Sequence, residues 1–172
     1  MVKYQITDPS LYPIKNIFDR ETGDMIALRD KTTKNIYEIA TEFLHYTKKY
    51  KKISVINRHY EIGLELGFDM IHLNSDQFQL IDTLDRTKLI VSCHSLDEIL
   101  YCQNRGVKYA TISPIFVDKP KAMGIERLKQ ISQSVDINLI ALGGIISHKE
   151  VELLSHLNLF GFASIRYFMR EN

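Results

Sequence analysis

The sequence lacks the features that mark membrane proteins, disulfide scaffolds and zinc modules. No apolar run approaches the roughly 18 consecutive residues that a membrane-spanning helix needs, and the opening segment MVKYQITDPS has no apolar core of a signal peptide. The two cysteines, Cys93 and Cys102, form neither a CxxC pair nor a zinc-spaced cluster with histidines. We expect both to be reduced and buried, as in a cytoplasm, and we expect no membrane partner.

Neither sign of charge dominates the chain. Lys and Arg together number 22 and Asp and Glu 21, which gives a formal net charge of +1. Because a nucleic-acid binder carries a surplus of positive charge, this balance argues against a nucleic-acid partner. Only four prolines and eight glycines are present among 172 residues, and no Pro/Gly/Ser-rich linker separates two parts. We therefore expect residues 1–172 to form one domain.

The chain contains instead a repeated alternation of short apolar runs and longer segments with helical periodicity. We predict strands over residues 2–7, 25–28, 53–56, 70–73, 89–92, 109–112, 138–142 and 160–165. We predict helices over residues 35–50, 58–66, 96–105, 125–134 and 148–157, and a short helical turn over 76–84. Eight alternating units predict parallel strands in a closed (β/α)8 TIM barrel, with a doubly wound open sheet as the alternative.

Residues at the predicted helix ends support these boundaries. Ser95 and Ser147 are suited to cap helix N-termini, and each has a glutamate three residues later. Gly67 and Gly106 stand where two helices should end.

Two of the eight units are short. The connection 9–24 contains two prolines and no helical face, and only residues 167–172 remain after the last strand and its end. We therefore predict a compact barrel whose first and last helices are reduced or missing. A missing last helix leaves apolar barrel surface exposed, which predicts a homo-oligomer.

Polar residues follow several of the predicted strands, and in such a barrel the chemistry lies at the carboxyl ends of the strands. Strand two is followed by Arg29 and Lys31, which either hold phosphate oxygens or form a solvated charge pair. Strand three is followed by Asn57, either a hydrogen-bonding partner for a heteroaromatic ring or a helix cap. Strand four is followed by Asp76, either a ligand for a metal that carries diphosphate or a cap.

The ends of strands five and six offer hydroxyl, imidazole and amine groups. Ser92 and His94 stand where a ligand would lie, although a lone histidine is usually structural. Lys119 and Lys121 lie in the loop after strand six, which either closes over phosphate or is an ordinary solvated loop.

The ends of strands seven and eight suggest an anion site. Gly143 and Gly144 allow backbone N–H groups to approach an anion, although paired glycines also occur in tight turns. Arg166, directly after Ile165, points to the same place, where barrels of this kind usually bind phosphate.

Taken in order, these segments resemble the thiamin-phosphate synthase superfamily, which includes the synthases and the thiazole tautomerases. Seven segments carry the resemblance: YQITD at 4–8, LRDK at 28–31, IN at 56–57, HL at 72–73, SCHS at 92–95, SPIF at 113–116 and ALGGI at 141–145.

The resemblance implies a TIM barrel that joins hydroxymethylpyrimidine diphosphate to thiazole phosphate, with magnesium, and expels diphosphate. The pyrimidine amine pushes out diphosphate, and the thiazole nitrogen captures the resulting cation. The resemblance also assigns roles to residues. The diphosphate would be held by Arg29, Lys31, Asn57 and Lys121, with Ser92 facing the same pocket. The thiazole phosphate would be held by Gly144 and the segment 164–166.

Several residues depart from the synthase pattern. The metal-binding aspartate that follows the asparagine in synthases is here Arg58, and the second acidic ligand aligns with Gln77, with Asp76 one place earlier. Arg58 either replaces part of the charge of the metal or repels it. Magnesium is therefore expected only through Asp76. The serine expected late in strand eight is Arg166.

Three function classes remain open. A synthase-type transferase is the first, and turnover separates it from a non-catalytic ligand-binding homologue. A tautomerase or another enzyme acting on a related phosphate is the second, and it would not consume the pyrimidine diphosphate. The tautomerases carry a catalytic histidine where this chain has Pro114, and His94 is the nearby substitute.

Overall fold

A closed barrel of parallel strands forms the centre of the molecule. The computed structural model describes residues 1–9, 13–18, 22–30, 32, 34–116 and 122–169. Within them, each strand pairs with its neighbour in chain order, and the first pairs with the last. The strands are β1 (Val2–Thr7), β2 (Met25–Leu28), β3 (Ile53–Asn57), β4 (Met70–Leu73), β5 (Leu89–Cys93), β6 (Tyr109–Ile112), β7 (Asn138–Leu142) and β8 (Gly161–Ser164). The predicted barrel is confirmed, and the open-sheet alternative is wrong.

Helices connect the strands on the outside of the barrel. The α-helices of the described ranges are α1 (Ile14–Ile17), α2 (Ile36–Lys49), α3 (Tyr60–Leu66), α4 (Leu96–Asn104), α5 (Ile125–Ser134) and α6 (His148–Ser155). Short 3₁₀ helices span Ser75–Asp82, Arg86–Lys88 and Arg166–Met169. The first helix has only four residues and a single 3₁₀ turn follows β8, so the predicted reduction of both is confirmed.

Side chains alternate along each strand and divide the apolar core into two layers. The inner layer fills the barrel and contains Tyr4, Ile6, Met25, Ala27, Val55, Met70, Ile90, Ile140 and Ala163. The outer layer, which includes Phe43, Leu73 and Phe162, packs between the strands and the helices. Every second side chain of a strand points into the barrel. The inward positions nearest the carboxyl ends of several strands are occupied by polar residues.

The predicted helix ends are confirmed by their hydrogen bonds. The Ser95 hydroxyl accepts from the backbone N–H of Glu98 at 3.2 Å. Ser147 and Glu150 form a capping box in which the Glu150 carboxylate accepts from the backbone N–H of Ser147 at 2.6 Å. Gly67 ends α3 in the left-handed conformation, with φ of 75°.

The predicted exposure of apolar surface beside β8 is wrong for the described residues. Phe162, on the outer face of β8, is only 1% exposed. The 3₁₀ turn after β8 brings Tyr167 and Phe168 against it, with ring centroids 5.1 Å and 6.1 Å from that of Phe162. Two aromatic rings therefore provide the cover that a full helix would give. The homo-oligomer that this exposure motivated stays a prediction.

Both cysteines are buried and free, as predicted. Their sulfur atoms lie 3.9 Å apart between β5 and α4. No helix in the described part of the chain is long and apolar enough to cross a membrane.

Candidate active site at the carboxyl ends of the strands

A buried histidine joins two hydroxyl groups inside the barrel. His72 Nδ1 lies 2.9 Å from the Tyr4 hydroxyl, and His72 Nε2 lies 2.9 Å from Ser92 Oγ. A neutral imidazole has one N–H donor and one acceptor nitrogen, so one hydroxyl donates to the ring and the other accepts from it. The three side chains come from β1, β4 and β5, and they form one hydrogen-bonded chain across the barrel.

The environment of His72 keeps its ring neutral at pH 7. Burial, together with the nearby positive charge of Arg29, lowers the pKa of His72 from its ordinary 6.5 to about 4, and burial is the larger of the two causes. A neutral ring does not attract phosphate by charge. His72 instead fixes the direction of the Ser92 hydroxyl near the carboxyl end of β5.

Thr111 adds an unsatisfied hydroxyl beside this chain. It pairs in register with Ser92 across β5 and β6, and its side chain is fully buried. Among the described residues its Oγ1 has no hydrogen-bond partner. Leaving a buried hydroxyl without a partner costs roughly 1–3 kcal/mol, and a polar group of a bound ligand in the barrel would remove that cost.

Asn57 connects the ends of β3 and β4. Its Nδ2 donates to the backbone carbonyl of His72 and to Asn74 Oδ1, both at 3.0 Å. The alternative reading of Asn57 as the cap of α3 is wrong, because His59 occupies the N-cap position. Asn57 is nearly buried and lies at the mouth of the barrel, where its contact with diphosphate stays a prediction.

Three cations are predicted to hold diphosphate, and Arg29 is the one among them that lies in the described residues. Its Nη1 lies 3.7 Å from Asp8 Oδ2, and its side chain is 27% exposed. This partner at the end of β1 holds the guanidinium at the barrel mouth. Lys31, Lys119 and Lys121 lie outside the described residues.

Arg58 and Asp76, the two residues that depart from the synthase metal site, contact each other. Arg58 Nη2 lies 3.1 Å from Asp76 Oδ2. The alternative interpretation of Asp76 as a helix cap is wrong, because Asn74 is the N-cap of this 3₁₀ helix. A carboxylate that already pairs with a guanidinium is a poor magnesium ligand, and no group of three metal-ligating side chains occurs in the described ranges. The residues present here do not fit a magnesium site.

His94 is held against the end of β6. Its Nδ1 lies 3.0 Å from the carbonyl oxygen of Ser113 and 3.3 Å from Ser113 Oγ. The backbone N–H of His94 also donates to Glu98 at 2.6 Å, which fixes the start of α4 beneath it. The sequence suggested no group that positions this ring, and the structure supplies Ser113.

Gly143 and Gly144 allow the loops after β6 and β7 to touch. Both have positive φ, 101° and 76°. A Cβ on Gly144 would lie 0.9 Å from the carbonyl oxygen of Phe116, and the Phe116 N–H donates to the Gly143 carbonyl at 2.8 Å. Close approach of two backbones therefore explains the glycines, and their contact with a phosphate stays a prediction.

The end of β8 lies next to these glycines. The Ser164 hydroxyl donates to the carbonyl of Ile145 at 2.7 Å, which ties the end of β8 to the loop after β7. Ile165 packs on the inner core layer, while Arg166 is exposed at the first position of the following 3₁₀ helix. Its part in phosphate binding is untested.

Sequence reasoning placed Arg29, Ser92 and the paired glycines at the mouth, but it missed three residues. Tyr4, His72 and Thr111 all lie inside the barrel. One signal could have found them. Each is a polar residue that lies two residues along its strand from an apolar or aromatic residue of the inner layer.

A closed parallel barrel with cations around its mouth, and with polar side chains above its apolar inner layer, belongs to the class of barrels that act at the carboxyl ends of their strands. Within that class the family is specific. The sequence profile described as thiamine monophosphate synthase matches residues 6–168, and the chain belongs to this family.

Individual relatives agree with the family assignment. A protein of Aquifex aeolicus, provisionally named thiamine-phosphate synthase 2, is 32% identical over 154 residues, which are 84% of this chain and 82% of that protein. A thiamine-phosphate synthase of Clostridium acetobutylicum is 32% identical over 131 residues, 70% of this chain and 62% of that protein.

Solved structures with a similar fold include one protein with a thiamine-related name and one without. A thiamine phosphate pyrophosphorylase from Pyrococcus furiosus superposes with a TM-score of 0.82 at 22% identity, over 95% of this chain and 85% of that chain. An N-(5'-phosphoribosyl)anthranilate isomerase from the same organism gives 0.67 at 12% identity, over 96% and 88%. At these identities the likeness concerns the barrel alone.

Proposed function

We propose that the protein is a thiamin-phosphate synthase, a transferase of thiamin biosynthesis that couples hydroxymethylpyrimidine diphosphate to thiazole phosphate and releases diphosphate. The observation that carries the proposal is the family match over residues 6–168, which spans every strand end discussed above. Relatives at about this similarity carry the same name. The proposal makes two small phosphorylated heterocycles the ligands of the barrel mouth.

The cations at the mouth would stabilise the leaving group. As the bond to diphosphate breaks, negative charge grows on that group, and cations fixed beforehand lower the energy of the transition state. We assign this role to Arg29, whose contact with Asp8 at 3.7 Å supports the assignment because it holds the guanidinium at the end of β1. We assign Lys31, Lys121 and Asn57 to the same group, on the resemblance and on the position of Asn57 at the end of β3.

The polar side chains near the carboxyl ends of β5 and β6 would orient a heterocyclic ring. Ser92 has its direction set by His72, and Thr111 has a buried hydroxyl that lacks a partner among the described residues. Two hydroxyls on neighbouring strands can each donate or accept a hydrogen bond, which suits ring nitrogens and an exocyclic amine. We assign this surface, with His94 at its edge, to recognition of the substrate.

The second phosphate would bind between the ends of β7 and β8. Gly143 and Gly144 present backbone there, and Ile165 and Arg166 follow β8 at the adjoining edge. We also propose that residues 1–172 act as one domain in the cytoplasm, as a homo-oligomer.

A tautomerase activity is the second candidate, because His94 is held beside the segment where the resemblance places the tautomerase histidine. Contact with Ser113, next to Pro114, gives this imidazole a fixed position from which to move a proton. A homologue that binds phosphates without turnover is the third.

The first experiment is an endpoint assay for thiamin phosphate. Purified protein is mixed with the pyrimidine diphosphate, the thiazole phosphate and Mg²⁺, and the product is oxidised to fluorescent thiochrome. We expect fluorescence above the enzyme-free control, and we expect loss of it when Arg29→Ala and Lys31→Ala are combined. Absence of product from a folded protein that binds the thiazole phosphate would reject the synthase assignment. Consumption of neither substrate would then favour the binding homologue.

A further inference from the structure

Arg58 is fixed at the mouth of the barrel by its own backbone. It has a left-handed conformation, with φ of 70°, which is uncommon for a residue with a long side chain. Its N–H donates to the carbonyl of His72 at 3.0 Å, and its carbonyl accepts from Gln77 Nε2 at 3.0 Å. The N–H of Arg58 is therefore held by β4, and its carbonyl is held by the 3₁₀ helix that follows β4. The residue directly before Arg58 is Asn57 of the proposed diphosphate site.

The guanidinium of Arg58 is anchored and still accessible. One nitrogen, Nη2, contacts Asp76, while 57% of the side chain remains exposed. A guanidinium has five N–H donors arranged in a fork that matches phosphate oxygens. The contact with Asp76 uses one of them, so the ion pair orients the group without exhausting its donors.

The charge at this position is the opposite of what a magnesium site needs. Where the synthases have a carboxylate, this chain has a cation, a change of two charge units that equals the charge of one Mg²⁺. The carboxylate of Asp76 could still act as a metal ligand, but its negative charge is paired with the guanidinium of Arg58. The donor set has therefore changed from one that holds a metal to one that attracts an anion directly.

We propose that Arg58 takes the place of the magnesium ion and binds the diphosphate group directly, with Asp76 holding its guanidinium in position. This inference rests on the proposed function, since it concerns the diphosphate of the same reaction. It predicts that diphosphate binds without a divalent cation. The competing account is a solvated surface ion pair that contributes nothing to binding.

Inorganic pyrophosphate is the probe, and calorimetric titration measures its dissociation constant in EDTA and in Mg²⁺. For the unmodified protein we expect binding in EDTA, with no tightening when Mg²⁺ is added. Arg58→Asn should weaken binding in EDTA by about tenfold or more, because hydrogen bonds to charged groups contribute roughly 1.5–3 kcal/mol. Asparagine tolerates the left-handed backbone, so this variant should fold.

Arg58→Asp is the matched partner of Arg58→Asn, with nearly the same shape and one negative charge. Beside Asp76 it restores a pair of carboxylates. We expect Arg58→Asp to bind pyrophosphate weakly in EDTA and to gain at least tenfold when Mg²⁺ is present. Arg86→Ala removes a comparable surface cation, paired with Asp82 at 3.4 Å before β5, and should leave binding unchanged.

Two outcomes would overturn the proposal. One is loss of pyrophosphate binding by the unmodified protein in EDTA with recovery in Mg²⁺, which would mean that a metal is required. The other is equal affinity of Arg58→Asn and the unmodified protein, which would leave only a surface ion pair. Pyrophosphate binding needs no turnover, so failure of the thiochrome assay and failure of this proposal are separate results.

Discussion

The position of His72 inside the barrel determines both its hydrogen bonds and its pKa. Its two ring nitrogens contact Tyr4 and Ser92, which lie on different strands, and its ring is buried. Burial penalises the charged imidazolium, so the pKa falls to about 4. The same residue therefore orients the Ser92 hydroxyl at the carboxyl end of the barrel and makes the stability of the fold depend on pH.

We expect the free energy of unfolding to fall as the pH drops from about 6.5 to about 4. The unfolded chain takes up a proton on His72 near the ordinary pKa of 6.5, whereas the folded protein does so only near 4, so acid favours the unfolded state. The loss from this group approaches about 3 kcal/mol. Above pH 6.5 the ring is neutral in both states and contributes no pH dependence.

Urea denaturation at a series of pH values measures this effect. His72→Gln should lower stability at pH 7, because it disturbs the hydrogen-bonded chain, but its stability should change less between pH 7 and pH 4. His156→Gln, at an exposed position, should keep the slope of the unmodified protein. If the free energy of unfolding depended on pH equally in His72→Gln and in the unmodified protein, the pH dependence could not be assigned to His72.

At this scale the sequence predicted residues that follow strands and missed residues that meet across the barrel. Arg29 and Ser92 were found because strand ends are readable from local pattern. The contact between Tyr4 and His72 joins β1 to β4, and no local pattern reports a contact between strands that are not neighbours in the sheet. Lys31 and Lys121 lie outside the described residues, so their positions stay predictions.

At the scale of elements, the loops after β6 and β7 depend on each other. Hydrogen bonds run from Ile115 N–H to the Leu142 carbonyl at 3.1 Å and from Phe116 N–H to the Gly143 carbonyl at 2.8 Å. Gly144 lies so close to Phe116 that no side chain fits between them. The shape of one mouth loop is therefore set by the loop on the next strand.

We expect Gly144→Ala to destabilise the protein more than Gly67→Ala. Both glycines have φ near 75°, which costs an alanine roughly 1–2 kcal/mol. At Gly67 nothing lies within 4 Å of the added Cβ, whereas at Gly144 the Phe116 carbonyl must move. We expect an additional loss of about 2 kcal/mol at Gly144. Chemical denaturation of both variants tests this comparison, and equal losses would show that the loops adjust freely.

Most element boundaries were predictable, and the exceptions have local causes. β1, β2, β4, β6 and β7 match their predicted bounds. Each is a short, mainly apolar run or, as in β1, an alternation of apolar and polar residues, and both patterns predict a strand. The helix predicted from residue 58 begins instead at Tyr60, since Arg58 takes a left-handed conformation and His59 supplies the cap. Periodicity reports the buried face of a helix but not the backbone conformation at its start.

At the scale of the molecule, the region after β8 completes the outer layer with very little chain. Phe168 is 7% exposed, and its ring stacks on that of Phe162 with an angle of 5° between the planes. As the sequence predicted, the described residues after β8 form a short turn and no full helix. The sequence could not report that aromatic side chains would cover the strand, because this depends on the direction of the chain after Ser164.

We expect Phe168→Ala to lower the free energy of unfolding by about 3 kcal/mol or more, since it removes a buried aromatic ring and uncovers Phe162. Leu153→Ala, at a side chain that is 44% exposed, is the control and should change it by no more than about 0.5 kcal/mol. Thermal or urea unfolding measures both, and similar losses would mean that the turn after β8 contributes no cover.

Analytical ultracentrifugation of the unmodified protein tests the homo-oligomer.

The pairing of β1 with β8 has a consequence for synthesis of the chain. Val2 pairs with Gly161, so β1 leaves the ribosome before the other strands of the barrel but obtains its second neighbour only when β8 has emerged. Until then β1 presents an open edge of unpaired backbone groups. A chain interrupted before β8 has two such edges and no way to close. We therefore expect truncated translation products of this protein to aggregate or to be held by chaperones, since no smaller barrel is available to them.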